Sequence, residues 1–231
     1  MAGGRSGKND HAKTEQAIIM YKFPYYTEED PAKVITFMKE NAFAAIIGFG
    51  GQYPVATHIP LEVELKEGKL LLSGHMMKKT DHHIAFEKNE HVLVIFNGPH
   101  AHISASWYSN PVSGSTWNYM VVHAKGKIKF KDEAGTYNAV KDITNKYEGP
   151  ESAAAFDKLP KDYIDKMVKA IAGFSIEVED LDNVFKLSQD RDTASRQSII
   201  EHLNKRDDSN ARAIAREIEK RIQVPDSFEP S

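Results

Sequence analysis

Between Val92 and Gly126 the chain reads VLVIFNGPHAHISASWYSNPVSGSTWNYMVVHAKG, which sets Trp107, Tyr108, Trp117 and Tyr119 between two β-rich runs separated by Pro, Gly and Ser. A strand connection needs only about two to five turn residues, so this loop carries far more aromatic surface than chain reversal requires. Flat rings so placed can stack on, or wall in, a conjugated ligand, while Ser104, Ser113, Ser115, Thr116 and Asn118 bond its polar edge. The plainer alternative is that both tryptophans only anchor the loop on the body of the protein.

A second chemical segment is Ser73-Gly74-His75-Met76-Met77-Lys78-Lys79-Thr80-Asp81, at the end of one predicted strand and the mouth of a helix. Free backbone N–H groups, a positive helix end and adjacent Lys78 and Lys79 would suit a phosphate. The plainer alternative is two solvated lysines capping a loop. Seven histidines, His58, His75, His82, His83, His100, His102 and His123, could supply metal or haem ligands. His100 and His102 would share one strand face, but no HExxH or comparable helix motif accompanies them. Most of these histidines read as hydrogen-bonding barrel residues.

Composition narrows the functional classes. The 231 residues carry a formal charge of −3 with 27% charged and 41% hydrophobic residues, so bulk charge predicts no nucleic-acid partner. Basic side chains of the last helices, Arg191 to Arg221, alternate with acids, which makes a salt-bridged surface and not a phosphate track. Cysteine is absent, which excludes disulfides, thiolate nucleophiles and Cys-based metal sites. With no apolar run long enough to span a bilayer, the expected location is cytoplasmic.

The elements that must position these groups follow from periodicity. Residues 1–17 read as a disordered extension, 18–190 as the barrel domain and 191–231 as a C-terminal helical extension on the barrel or a dimer partner. Thr27 through Pro31 opens a helix; Ala42 to Phe49 and Ile59 to Leu65 are strands, the second with one wet face. Lys66-Glu67-Gly68-Lys69 turns into Leu70 to Ser73 as a hairpin, and a short helix follows near Asp81 to Lys88. Val92 to Phe96 suits a strand covered on both faces, while Ala124 to Phe130 and Phe174 to Val178 alternate as half-buried strands. Helices are expected over 132–147, 160–170, 194–205 and 209–222. Six or seven antiparallel strands with few helices favour a closed or nearly closed barrel, a mainly β (α+β) fold.

With ATHIPLEV at 56–63, Gly74-His75, VLVIFNGPHAHISASWY at 92–108, STWNYMVVHAKG at 115–126 and IAGFSIEVEDLDNVFKLSQDR at 171–191 on view, the chain resembles the PaiB-type family. That family is named for FMN-binding negative transcriptional regulators. The resemblance implies an antiparallel FMN-binding split β-barrel with peripheral helices, related to pyridoxamine-phosphate-oxidase-type flavoproteins, and a homodimer with FMN at the interface. It implies Lys78 and Lys79 at the phosphate, Ser73 and His75 near the ribityl phosphate, and Thr57 and His58 beside the isoalloxazine. Trp117, Asn118 and Tyr119 would close over the ring, with Ser104, Trp107 and Thr116 in the same loop. An FMN-dependent oxidoreductase acting on a small molecule and a haem-binding split barrel are the alternatives. DNA would be a partner of a regulator, but the charge gives it no support.

Overall fold

The computed structural model describes residues 23–222, so the expectations for residues 1–17 lie outside the described residues. Its strands are β1 (Phe43–Gly48), β2 (Val55–Pro60), β3 (Glu62–Lys66), β4 (Lys69–Met77), β5 (His91–Ile103), β6 (Thr116–Phe130) and β7 (Ile171–Lys186). All pair antiparallel in one seven-stranded sheet of order β2-β1-β5-β6-β7-β4-β3. The edge strands are consecutive in sequence. β2 ends at Pro60 and β3 begins at Glu62, so Leu61 alone carries the chain from one edge to the other. A sheet whose edges lie one residue apart must curl, and with no ladder between β2 and β3 it is a barrel split at that seam. The alternation from Ile59 to Leu65 therefore runs through two strands, not one. Leu61 N–H donates to the Ala42 carbonyl at 2.9 Å, which pins the seam beside the start of β1.

Alternation decides which side chains fill the barrel. Ala44, Ile46, Leu61, Leu72, Val94, Phe96, Val122, Phe174 and Ile176 are all buried at 1% exposure or less and belong to one core cluster. The odd-numbered neighbours in β1 and β5 point the other way. Ala45, Ile47, Leu93 and Ile95 lie only half-buried on the outer face, beside exposed Phe43. Val92 to Phe96 reads from sequence as a strand covered on both faces; its inner face is buried, and its outer face is only partly covered, Ile95 packing against Tyr26, Val121 and Val184.

The turn at Glu67 and Gly68 takes positive φ at both residues (53° and 78°), the backbone that a tight two-residue hairpin requires. Six α-helices surround the sheet among the described residues: α1 (Pro31–Glu40), α2 (Asp81–Lys88), α3 (Glu133–Glu148), α4 (Lys161–Ala170), α5 (Thr193–Asn204) and α6 (Ser209–Ile222). α2 follows β4 and packs on β1 and β2, and α3 covers β7 and β4. On α6, Ala211, Ile214, Ala215 and Ile218 are buried in the same core cluster as the barrel, with α5 and β5 as its neighbours. The apolar stripe of the last helix thus covers the barrel of its own chain.

Candidate functional site

Of the twelve residues singled out from sequence, ten fall into two groups at opposite ends of the sheet, four at the end of β4 and six around β5 and β6, while Thr57 and His58 lie midway, level with Ile46 and Ala45. Met77 pairs with Ile171 at the start of β7, and Tyr119 pairs with Lys186 at its end. The sixteen residues of β7 from Ile171 to Lys186 span about 50 Å of strand at ~3.3 Å per residue. Lys78 and Lys79 lie at one end, and Trp117 at the other. A cleft of about 980 Å³ between α1 and α6, lined by Phe37, Met120, Phe185, Arg196 and Arg221 among others, includes none of the twelve.

At the lysine end, β4 points Ser73 and His75 to the outer face, with Leu72, Gly74 and Met76 inward. His75 pairs with Gly173, whose N–H is held by the Thr136 hydroxyl of α3 at 3.0 Å. Burial lowers the His75 pKa below its ordinary 6.5, and its Nδ1 is buried without a hydrogen-bond partner. Such an atom calls for a water or a ligand polar group. Lys78 donates from Nζ to the Lys169 carbonyl at 3.2 Å, Lys79 takes a left-handed φ of 63°, and both residues are exposed. The start of α2 is less open to an anion than the sequence suggests. Thr80 caps His83 N–H at 3.3 Å, and the Asp81 carboxylate already accepts from His82 N–H at 2.8 Å. The fit to a phosphate therefore rests on the two ammonium groups and not on the helix end. Thr57 and His58 point to opposite faces: Thr57 pairs with inward Ile46, while exposed His58 stacks on Phe43 with ring centres 6.1 Å apart.

At the other end the aromatic loop divides its roles. Trp107 stacks on His202 of α5 at 4.8 Å with the planes 14° apart, and the Arg206 guanidinium lies 4.8 Å from its ring. It is an anchor for the C-terminal helices. Ser104 caps the short 3₁₀ turn Ala105–Trp107 and shares a 2.9 Å bond with Ser106. Asn118 is fully buried and committed to Ser188, 2.9 Å from its amide nitrogen. Trp117 is different. It is 54% exposed, flanked by His100 and His102 at ring distances of 6.0 and 5.9 Å.

Register builds a row around it. His100, Tyr119 and Lys186 are cross-strand neighbours on β5, β6 and β7, and His102 and Trp117 form the next row on the same face. Lys186 Nζ donates to the Thr116 hydroxyl at 2.7 Å and sits 5.5 Å from the Tyr26 ring. Burial lowers its pKa; Arg191 lowers it further, and Asp190 opposes both. Arg191 donates to the Ser113 hydroxyl at 3.1 Å and lies 4.3 Å from the Tyr108 ring. Among the described residues no cluster of three or more His, Asp or Glu is set to hold a metal, and no helix is long and apolar enough to cross a membrane.

Residues 20–180 match the family model described as "Putative FMN-binding domain". The chain belongs to that family. Consistent with the PaiB-type resemblance, it is 33% identical over 205 residues to the Protease synthase and sporulation protein PAI 2 of Bacillus subtilis, covering 88% of this chain and 99% of the relative. Among solved structures it is similar to the flavocytochrome Anf3 of Azotobacter vinelandii, with a TM-score of 0.55 at 15% identity over 70% of this chain and 69% of that one. It is also similar to the FAD- and haem-binding protein of Mycobacterium smegmatis, with a TM-score of 0.54 at 12% identity over 70% and 73% of the two chains. These likenesses establish the split-barrel fold. FMN is the cofactor by which the family is defined.

Within this family member, the neighbour of the aromatic row that sequence did not reveal is Lys186. It lies in the FKLSQDR segment that carried part of the resemblance, yet its place beside Tyr119 depends on β6–β7 register. The available signal was a cation at the very end of a long strand.

Proposed function

We propose that the protein is a homodimeric FMN-binding split barrel of PaiB type whose flavin site is shared between subunits. Lys78 and Lys79 of one subunit would meet the phosphate, with Ser73 and His75 near the ribityl chain, and Trp117 of the other would close over the ring. Thr57 and His58 lie on the strand that would flank the isoalloxazine, with at most one of them facing it. When bound, FMN supplies a centre that accepts or donates electrons; the chain's own residues bind and orient it and exclude water.

The observation that carries this reading is the separation of the two groups. Along β7 the two groups are about 50 Å of strand apart at ~3.3 Å per residue, which favours their meeting across two subunits over their meeting within one. On the outer face β1 and β5 present Ala45, Ile47 and Leu93, apolar and only partly covered. Stacking two such faces about a two-fold axis across the strands sets each aromatic end against the partner's lysine end. The orphaned His75 Nδ1 gives the ligand a further polar contact.

The test is an absorption spectrum of the purified protein followed by FMN titration. Flavin bands and micromolar or tighter FMN binding are expected, and replacing both Lys78 and Lys79 with Ala should weaken FMN far more than riboflavin. Failure to bind added FMN would reject the reading, and a Soret band would assign the fold to haem instead. Steady-state oxidation of NADH or NADPH by the holoprotein would make it an oxidoreductase. The regulator reading predicts salt-dependent binding to promoter DNA.

A further inference from the structure

Two hydrogen bonds tie Lys78 to the end of a helix. Its backbone N–H donates to the Ala170 carbonyl at 3.0 Å, and its Nζ donates to the Lys169 carbonyl at 3.2 Å. Those are the last two residues of α4, which passes into β7 at Ile171 without a connecting residue. A helix leaves its last four carbonyls without partners inside it, and an ammonium placed there also faces the negative end of the helix. Lys78 is thus a C-terminal cap of α4, supplied from just past β4. Lys79 makes no such bond among the described residues.

The helix it caps packs apart from the barrel. Ile164 and Val168 of α4 are buried with Val140 of α3, Phe156 and Ile171 in a small cluster of their own, and no residue of α4 belongs to the barrel core. A unit held by so few apolar contacts opens at a lower free energy than the strands beneath it. One ammonium therefore serves two claims, the end of α4 and, in the flavin reading, a phosphate. A carbonyl is a neutral acceptor and a phosphate oxygen a charged one, so the phosphate is the stronger claimant. We propose that α4 reports flavin occupancy: the phosphate draws the Lys78 ammonium from the Lys169 carbonyl, and the last turn of α4 loosens.

The coupling rests on the phosphate being held at Lys78 and Lys79, and adds to that site a signal at the protein surface. A ligand shifts an equilibrium only by its different affinity for the two states, which here differ by one ammonium engaged or released. A cation at a helix C-terminus is worth about two- to fivefold in an equilibrium constant, and that bounds the effect. Linkage makes it reciprocal: loosening α4 by other means frees Lys78 and tightens FMN by the same factor. Riboflavin has no phosphate and should take no part.

The experiment follows hydrogen exchange of residues 161–170 by mass spectrometry in the full chain, with flavin removed, with FMN and with riboflavin. FMN should speed exchange in the last turn of α4 by about two- to fivefold, and riboflavin should leave it unchanged. Lys78→Ala without flavin should exchange at the FMN-bound rate, whereas Lys79→Ala should match wild type. Ala170→Gly, at an exposed position where no charge and no buried contact is lost, loosens the same turn. It should tighten FMN, and not riboflavin, by about two- to fivefold. The inference is overturned if FMN slows the exchange of α4 or leaves it unchanged, if Lys78→Ala leaves it unchanged, or if Ala170→Gly binds FMN no tighter than wild type. An FMN affinity indifferent to Lys78→Ala and to Lys79→Ala overturns the flavin placement and the coupling together. An affinity that falls in those variants, beside an α4 that FMN does not loosen, overturns the coupling alone.

Discussion

Asn118 and Ser188 hold each other in a reciprocal pair: the amide nitrogen donates to the Ser188 hydroxyl at 2.9 Å, and that hydroxyl lies 3.3 Å from the amide oxygen. Both are buried, and Ser188 sits at a φ of 62° in the left-handed region, where a non-glycine residue is strained. The pair therefore fixes the turn that sends the chain from β7 towards α5. Replacing Asn118 with Leu leaves the Ser188 hydroxyl buried without its partner. Urea unfolding should show a loss of about 2–3 kcal/mol. Combining it with Ser188→Gly, which removes both the strain and the orphaned group, should recover part of that loss.

Trp107 tests whether an aromatic in the loop serves a ligand or the scaffold. Its stacking on His202 and contact with Arg206 predict that Trp107→Ala loosens α5 and α6. A cost of about 2–4 kcal/mol is expected, at or below the range for a core aromatic because the ring is only partly buried. Hydrogen exchange should accelerate in residues 193–222, whereas FMN affinity should stay within a few-fold of wild type.

Asp192 gives the fold a defined acid sensitivity. Its carboxylate caps α5 through Ser195 N–H and accepts from the Ser195 and Ser109 hydroxyls, all at 2.8 Å. These bonds, the Ser195 N–H first, lower its pKa from 3.8 to about 2. The folded value lies below the unfolded one, so the stabilisation is present above 3.8 and is lost as pH falls towards about 2. Because the group is solvent-exposed, Asp192→Ala should cost only about 1 kcal/mol at neutral pH. In chemical denaturation the gap between variant and wild type should close across that acid window.

The shared-site proposal makes oligomeric state and flavin binding inseparable. Ile47→Glu puts a charge on the half-exposed outer face without entering the barrel core. Sedimentation should show monomer where wild type is dimer, and FMN affinity should fall by at least about tenfold, which a carboxylate buried in an apolar interface readily supplies. A variant that stays folded and monomeric yet binds FMN as tightly as wild type would refute the shared site.

Much of the scaffold was readable because local rules dominate there. Thr80 before Asp81–Lys88 and the Glu67-Gly68 turn obey capping and hairpin preferences that need no partner strand. The stripe at Ala211, Ile214, Ala215 and Ile218 likewise announced a buried helix face, although the surface it covers was fixed only by packing. The break at Leu61 was invisible, since inward–outward alternation passes through it without interruption. The site was harder still. Sequence grouped Lys78 and Trp117 by chemistry, whereas strand pairing sets them at opposite ends. The position of Lys186 across from Tyr119 appears only once β6 and β7 are in register. Types of residue are legible one at a time; their neighbours across a sheet are not.

The seam at Leu61 sets a limit on how this barrel's length can vary. One extra residue between Pro60 and Glu62 would reverse every later side chain of β3, turning Val63 out to water and Glu62 and Glu64 towards Phe174 and Leu72. Deletion of one would do the same. Growth and loss of sequence must therefore collect in other connections, such as the stretch from Tyr108 to Ser115, while this single peptide link keeps its count.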